Sequence, residues 1–98
     1  MENIGKYISS RFKIDEKDFF ETPPSKLYGR VLYDCYMQRV KNTPAEVKEA
    51  MLSFCKEKNY EVLSTTDYMV EAKKENKNYV ISFTLIRGEL LITVQDLS

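Results

Sequence analysis

The first twelve residues repeat apolar side chains at the spacing of one helical face. Ile4, Tyr7, Ile8 and Phe12 follow the i, i+3, i+4, i+8 pattern, and polar residues fill most of the positions between them. This pattern predicts a short amphipathic helix. Asp15 then predicts the cap of one further turn, through Asp18 to Phe20, because its carboxylate can accept hydrogen bonds from the first free amides of a helix.

Two longer apolar stripes follow, and each of them predicts another helix. The first begins after Thr22-Pro23-Pro24-Ser25 and runs from Leu27 to Val40; its apolar positions are Leu27, Tyr28, Val31, Leu32, Cys35, Tyr36 and Val40. The second begins with Thr43-Pro44-Ala45-Glu46, in which the threonine, the proline and the glutamate occupy the positions of a capping box. Its predicted buried face contains Val47, Ala50, Met51, Phe54 and Cys55.

After Asn59 the apolar period changes from helical to two. Four alternating stretches are separated by turn-like sequences at 65–67, 76–77 and 87–88, which predicts an antiparallel β-meander. The two-residue turn at Arg87-Gly88 pairs the last two strands, with Leu85 opposite Leu90, Phe83 opposite Ile92 and Ile81 opposite Val94. The other two turns predict Val62 opposite Val70 and Val70 opposite Phe83. In this register the large apolar residues share one face of the sheet.

These elements predict one α+β domain over residues 1–98. Two to three helices in 1–59 would pack on one face of a four-stranded antiparallel meander in 60–98, since an amphipathic helix and an amphipathic sheet bury each other's apolar faces. Ninety-eight residues are enough for one domain, and the composition, 43% hydrophobic and 31% charged, is typical of a globular chain.

The sequence also predicts where the protein resides. It has no apolar run near the ~20 residues that a membrane span requires, and Met1–Phe12 lacks the apolar stretch of a signal peptide. Cys35 and Cys55 both fall on predicted helices and are expected to be reduced, buried thiols; whether they lie close together stays open. We therefore expect a cytoplasmic protein that does not contact a membrane.

Several kinds of chemistry are missing from the composition. The chain has no histidine, which removes the commonest general base and metal ligand. Its three glycines are too far apart for a phosphate-binding loop, and two isolated cysteines do not make a zinc site. We predict a non-enzymatic protein without catalytic residues, metal or cofactor.

One acidic arrangement offers an alternative to this prediction. Asp67 precedes Glu71 and Lys73, and a Glu-x-Lys pair on a strand resembles the metal-binding arrangement of the restriction-endonuclease-like nucleases. The resemblance covers about a quarter of the chain. With Glu71 and Lys73 as the pair, Asp67 is too close along the chain. A different alignment, through Tyr60-Glu61-Val62, Asp67 and Tyr79-Val80, places the Glu-x-Lys positions on Ser82 and Thr84. The crossover helix and the parallel strand of that fold are missing from the predicted elements. It implies at most a degenerate metal-dependent nuclease-like domain.

A second alternative is a nucleic-acid-binding accessory protein. Fifteen basic and fifteen acidic residues cancel, whereas nucleic-acid binders usually carry a basic excess that contacts phosphates. Stacking and phosphate contacts would come from a tyrosine and five basic residues: Arg30, Tyr33, Arg39, Lys73, Lys74 and Lys77.

The favoured prediction uses the other face of the predicted sheet. That face should be polar, yet beside Thr84 it carries five apolar residues: Leu63, Met69, Val80, Ile86 and Leu91. A contiguous apolar patch of this kind is typical of a protein interface. We expect an interaction module that binds itself as a homodimer, or a larger protein as an adaptor or inhibitor, unless the first helix covers this face. The patch is expected to centre on Val80 and Leu91 with Thr84 and Glu61 at its rim, so that Val80→Asp would abolish association without unfolding the protein.

Overall fold

The structure is a computed structural model that describes residues 1, 3–22 and 30–97. Its described elements are two α-helices, a short 3₁₀ turn and six strands. The α+β class is confirmed, but the sheet has six strands in the described residues instead of the four predicted. In chain order the elements are α1 (Ile4–Arg11), the 3₁₀ turn Glu16–Asp18, β1 (Phe19–Thr22), β2 (Val31–Met37), α2 (Pro44–Glu57), β3 (Glu61–Thr66), β4 (Met69–Lys74), β5 (Lys77–Ile86) and β6 (Glu89–Asp96).

The strands form one antiparallel sheet in the order β1-β2-β6-β5-β4-β3. The C-terminal meander supplies four neighbouring strands, and the β1–β2 pair extends the sheet beyond β6. Between β2 and β3 the chain crosses to the far edge of the sheet, and α2 lies in this connection. The described helices contain no segment long and apolar enough to cross a membrane.

The predicted helix over Leu27–Val40 is wrong in its described part, because Val31–Met37 is strand β2. The side chains of Tyr33, Cys35 and Met37 are buried with the period of a strand. Apolar residues also occupy the opposite face of β2, at Leu32 and Tyr36, and together the two faces imitate a helical stripe. The first residues of the predicted helix, 27–29, and the preceding 23–26 lie outside the described residues.

Strand β1 is a second correction to the predicted helical region, since Phe19–Thr22 pairs with β2 instead of ending a helical turn. The preceding turn is as predicted: the amide of Lys17 donates a 3.2 Å hydrogen bond to the carboxylate of Asp15. The predicted N-terminal helix is also confirmed as α1.

Helix α2 is confirmed together with its capping box. The amide of Glu46 donates to the hydroxyl of Thr43 at 3.2 Å, and the amide of Thr43 donates to the carboxylate of Glu46 at 2.9 Å. The Thr43 amide also lowers the pKa of Glu46 from its ordinary value. Two amides that would otherwise lack a partner are satisfied by this exchange.

Replacing Thr43 tests the importance of this cap. Thr43→Ala is expected to lower the free energy of unfolding by about 1 kcal/mol, because it removes the acceptor for the Glu46 amide. Urea denaturation measures the change, and Thr43→Ser, which keeps the hydroxyl, is the matched control. An alanine variant as stable as the serine variant would contradict the expectation.

The register of the meander is partly as predicted. All three predicted pairs between β5 and β6 are confirmed. The other two hairpins are wrong: Val62 lies opposite Ala72, and Val70 lies opposite Ile81. Their turns are Asp67-Tyr68 and Glu75-Asn76. At the second turn both residues have positive φ angles, 52° and 66°, as in the tight hairpin turns that match strand twist.

Both helices pack on the same face of the sheet. Ile4 and Ile8 of α1 are fully buried with Val47, Met51 and Phe54 of α2. From the sheet, the core receives Tyr33, Cys35, Met37, Val70, Ala72, Ile81, Phe83, Leu90, Ile92 and Val94. Cys35 and Cys55 are both buried and free, although Cys35 lies on β2 and not on a helix as predicted.

Candidate protein-interaction surface

The face of the sheet opposite the helices, here called the outer face, carries a row of large side chains. Strand pairing places Phe20, Tyr36, Leu91 and Thr84 side by side across β1, β2, β6 and β5. The rings of Phe20 and Tyr36 lie 6.0 Å apart at an angle of 36°. We call these four residues the central row.

A second row runs beside the central row. It aligns Asp34, Thr93, Ser82, Met69 and Thr66 across β2, β6, β5, β4 and β3. Several members of both rows border a depression in the outer face, lined by Thr66, Tyr68, Met69, Ser82, Phe83, Thr84, Leu91 and Thr93. The two rows therefore form one continuous surface of apolar, hydroxyl and acidic side chains.

The outer face remains exposed in the described part of the chain. Phe20, Leu91 and Met69 are each more than one third exposed, and Ile86 at the end of β5 is 64% exposed. Helix α1 contacts α2 and β2 from the core side, where Ile4 and Ile8 are buried. The first helix therefore does not cover this face, which answers the question that the sequence left open.

Not every residue predicted for the interface joins the two rows. Met69, Thr84 and Leu91 belong to them, and Ile86 lies at the end of β5 near the central row. Leu63 lies on the edge strand β3, three strands away from Leu91 on β6.

The predicted centre of the patch also requires correction. Val80 is only 9% exposed and offers little surface to a partner, so the exposed centre is Leu91 without it. Thr84 lies directly opposite Leu91 and belongs to the centre rather than to the rim. Glu61 lies opposite Lys73 on the edge strand, away from the central row.

Phe20 and Tyr36 were missed as surface residues. The sequence pattern predicts Tyr36 on a helical stripe and Phe20 at the end of a helical turn. The local signal was the high content of aromatic and β-branched residues in Phe19-Phe20-Glu21-Thr22 and in Val31–Met37, which favours strands. The 6.0 Å separation of the Phe20 and Tyr36 rings depends on the pairing of β1 with β2, which no local pattern specifies.

Carboxylates surround the apolar part of the outer face. The hydroxyl of Tyr36 donates a 2.6 Å hydrogen bond to Glu89, and this bond is the main cause that raises the pKa of Tyr36. Ser64 donates to Glu71 at 3.1 Å on the opposite side. Asp34 lies on the neighbouring strand β2, in the second row.

The residues of the nucleic-acid alternative do not form one surface. Tyr33 is buried, so its ring cannot stack on a base. Arg39 forms an ion pair with Asp18. The next residue, Val40, donates its amide hydrogen bond to the carbonyl of Gly88, in the turn that follows β5. Lys74 lies opposite Lys77 at the other end of β5.

One lysine of the β4–β5 hairpin already has partners within the chain. The ammonium of Lys74 donates to the Lys58 carbonyl at 2.8 Å and lies 4.8 Å from the centre of the Tyr60 ring. Lys73 and Lys77 are exposed. Arg30 accepts a hydrogen bond from the Asp96 amide through its backbone carbonyl.

The three residues of the nuclease alternative lie on two different elements, the turn before β4 and strand β4 itself. Asp67 lies in that turn, whereas Glu71 and Lys73 are on the strand itself, on its outer face. Within residues 1, 3–22 and 30–97 there is no group of three or more acidic or cysteine residues that could hold a metal ion. The sheet described above is antiparallel throughout, so it lacks the parallel strand of the nuclease fold.

A polar contact at the edge of the core was also missed, between the buried Tyr33 and the exposed Glu21. The hydroxyl of Tyr33 donates a 2.6 Å hydrogen bond to the carboxylate of Glu21. Burial is the main cause that raises the pKa of Tyr33. Burial likewise raises the pKa of Cys35 to about 12 and that of Cys55 to about 11. Both thiols are therefore protonated near neutral pH and are poor nucleophiles.

Comparison with protein-family models, with curated proteins and with solved structures finds no match to this chain.

Proposed function

We propose that this chain is a non-enzymatic protein-interaction module that binds its partner through the outer face. It would act as a homodimer, or as an adaptor or inhibitor of a larger protein. The observation that carries the proposal is the exposed central row on a sheet whose helices pack on the other face. Single exposed apolar residues are ordinary, but a contiguous group of them is typical of a binding surface.

The composition of the central row suits an interface. Phe20 and Tyr36 are aromatic, and aromatic anchors contribute much of the binding energy in protein complexes. Thr84 and its hydroxyl-bearing neighbours Ser82 and Thr93 can hydrogen-bond a partner without the cost of burying a charge. The row is also held in a paired sheet, so little conformational entropy is lost when a partner binds.

Leu91→Asp tests the proposal. It is expected to abolish binding through the outer face, because a carboxylate at the centre of a dry interface is not solvated. The fold should remain intact, since Leu91 is 43% exposed. This substitution replaces Val80→Asp, because a buried aspartate at position 80 would unfold the protein and obscure the result.

Two measurements report on binding. Light scattering across a concentration series gives the mass of any self-associated form, and selection from a random 20-residue peptide display library gives defined ligands. Leu63→Asp is the matched control, because Leu63 is also 43% exposed but lies three strands away. Binding that Leu91→Asp removes and Leu63→Asp preserves supports the proposal. If neither self-association nor any selected peptide depends on Leu91, the outer face is not an interaction surface.

A further inference from the structure

The charged side chains in and directly beside the central row are acidic, and Arg87 lies beyond them in the turn between β5 and β6. Asp34 is in the second row, and the carboxylate of Glu89 accepts the hydrogen bond from Tyr36. Glu71 lies opposite Val80 in a third row, which runs beside the second row. Among the described residues of these rows there is no lysine or arginine. The first basic side chain along β4 is Lys73, which already lies opposite Glu61.

This distribution argues against a second copy as the partner. Two outer faces packed together would bring the three carboxylates of each copy into one interface, with no cation in the facing rows to pair with them. Like charges in an interface are unfavourable, and buried carboxylates need a cationic or hydrogen-bonding partner. A partner that carries lysine or arginine around an apolar centre would complement the outer face instead.

The layers of the fold indicate the shape of that partner. One side of the sheet is covered by α1 and α2, and the other side lacks a described layer. A helix is a common complement to an open sheet face. The four strand intervals from β1 to β4 span about 19 Å at ~4.8 Å each, which corresponds to roughly 13 helical residues at 1.5 Å per residue.

Resting on the proposed function, we propose that the outer face binds a basic amphipathic helix of another protein. Its apolar side would cover Leu91, Phe20 and Met69. Its lysines or arginines would reach Asp34, Glu71 and Glu89 at the margins. Such a helix is recognised by an apolar stripe at i, i+3, i+4 and i+7 with basic flanks.

Two designed peptides test the charge and the shape together. Both are fluorescein-labelled, capped 18-residue alanine-based peptides with leucine at i, i+3, i+4 and i+7. Four positions that flank the leucine stripe are lysine in one peptide and glutamate in the other, and alanine at the remaining positions keeps both peptides helical. Fluorescence anisotropy at low and at 300 mM salt measures their binding to the intact protein. The lysine peptide should bind, more weakly at high salt, and the glutamate peptide should not.

Paired variants separate the outer face from general charge attraction. Leu91→Asp should abolish binding of the lysine peptide, and Asp34→Asn with Glu71→Gln should weaken it about tenfold, since a tenfold loss needs only about 1.4 kcal/mol for two charges. The control pair Glu49→Gln and Glu57→Gln removes two carboxylates from exposed positions of α2 and should leave binding unchanged.

Each other outcome overturns the inference in a distinguishable way. Equal, Leu91-dependent binding of both peptides would refute the charge preference and leave the outer face as an interaction surface. Loss of binding in the Glu49 and Glu57 control as large as in the Asp34 and Glu71 pair would indicate non-specific attraction. A dimer that Leu91→Asp dissociates, without binding of either peptide, would make a second copy the occupant. No peptide binding together with no Leu91-dependent ligand from the display selection would refute both proposals.

Discussion

Gly5→Ala is expected to lower the free energy of unfolding by about 3 kcal/mol, as overpacked core substitutions do. A Cβ atom at position 5 would lie 2.1 Å from the hydroxyl oxygen of Tyr33 and 3.0 Å from the sulfur of Cys35. The Tyr33 hydroxyl cannot easily withdraw, because it is hydrogen-bonded to Glu21 at 2.6 Å. The helix-propensity gain of alanine over glycine, at most about 1 kcal/mol, is smaller than this overlap. Urea denaturation measures the difference.

The cause of the Gly5 effect can be isolated with a double-mutant cycle. Tyr33→Phe removes the overlapping oxygen, so Gly5→Ala should cost at least about 1 kcal/mol less in the Tyr33→Phe background than in the natural chain. Ser10→Ala on the exposed side of α1 is the control for helix propensity and should be neutral or stabilising. Strict additivity of the two substitutions would show that the Tyr33 hydroxyl is not the obstacle.

Arg39→Met is expected to lower the free energy of unfolding by about 2 kcal/mol. The side chain of Asp18 is buried, and its carboxylate accepts a hydrogen bond from the Arg39 guanidinium. Methionine keeps most of the length of the arginine but leaves the carboxylate without this cation. The expected loss is below the ~3–5 kcal/mol typical of a fully buried pair, because the Arg39 side chain is 68% exposed.

The matched test of the Arg39 effect combines two substitutions. Asp18→Asn in the Arg39→Met background removes the unpaired charge and should recover part of the lost stability, measured by thermal and urea unfolding. Arg39→Lys keeps a cation and should be less destabilising than Arg39→Met. Equal losses for lysine and methionine at position 39 would mean that the ion pair does not stabilise the fold.

The proposed interaction surface and these two stability predictions concern opposite sides of the sheet. Gly5 and Tyr33 belong to the helix-covered side, whereas Leu91 and Tyr36 face outward. Loss of binding in Leu91→Asp with unchanged unfolding would therefore be an effect on the surface itself. Loss of binding that merely accompanies unfolding is expected of the Gly5 variant instead.

Features that depend on neighbouring residues were predictable from the sequence. Helix α2 is one case, since its capping box joins Thr43 to Glu46 and its apolar period is continuous. The β5–β6 hairpin is another, because Arg87 and Gly88 both adopt positive φ angles in a two-residue turn between two alternating strands. Met69, Thr84, Ile86 and Leu91 were correctly assigned to the outer face for the same reason: strand alternation is local.

Features that depend on distant residues were decided only by the tertiary structure. The apolar residues of β2 fit a helix as well as a strand, and pairing with β6, about sixty residues later, selects the strand. The same pairing brings Tyr36 beside Leu91 and creates the central row. The packing of α1 on the core side, with Gly5 against Tyr33, leaves that row exposed. Local patterns were sufficient for α1, α2, the β5–β6 hairpin and the apolar character of the outer face. Strand order and helix placement established which side chains meet on that face, because those contacts join residues far apart along the chain.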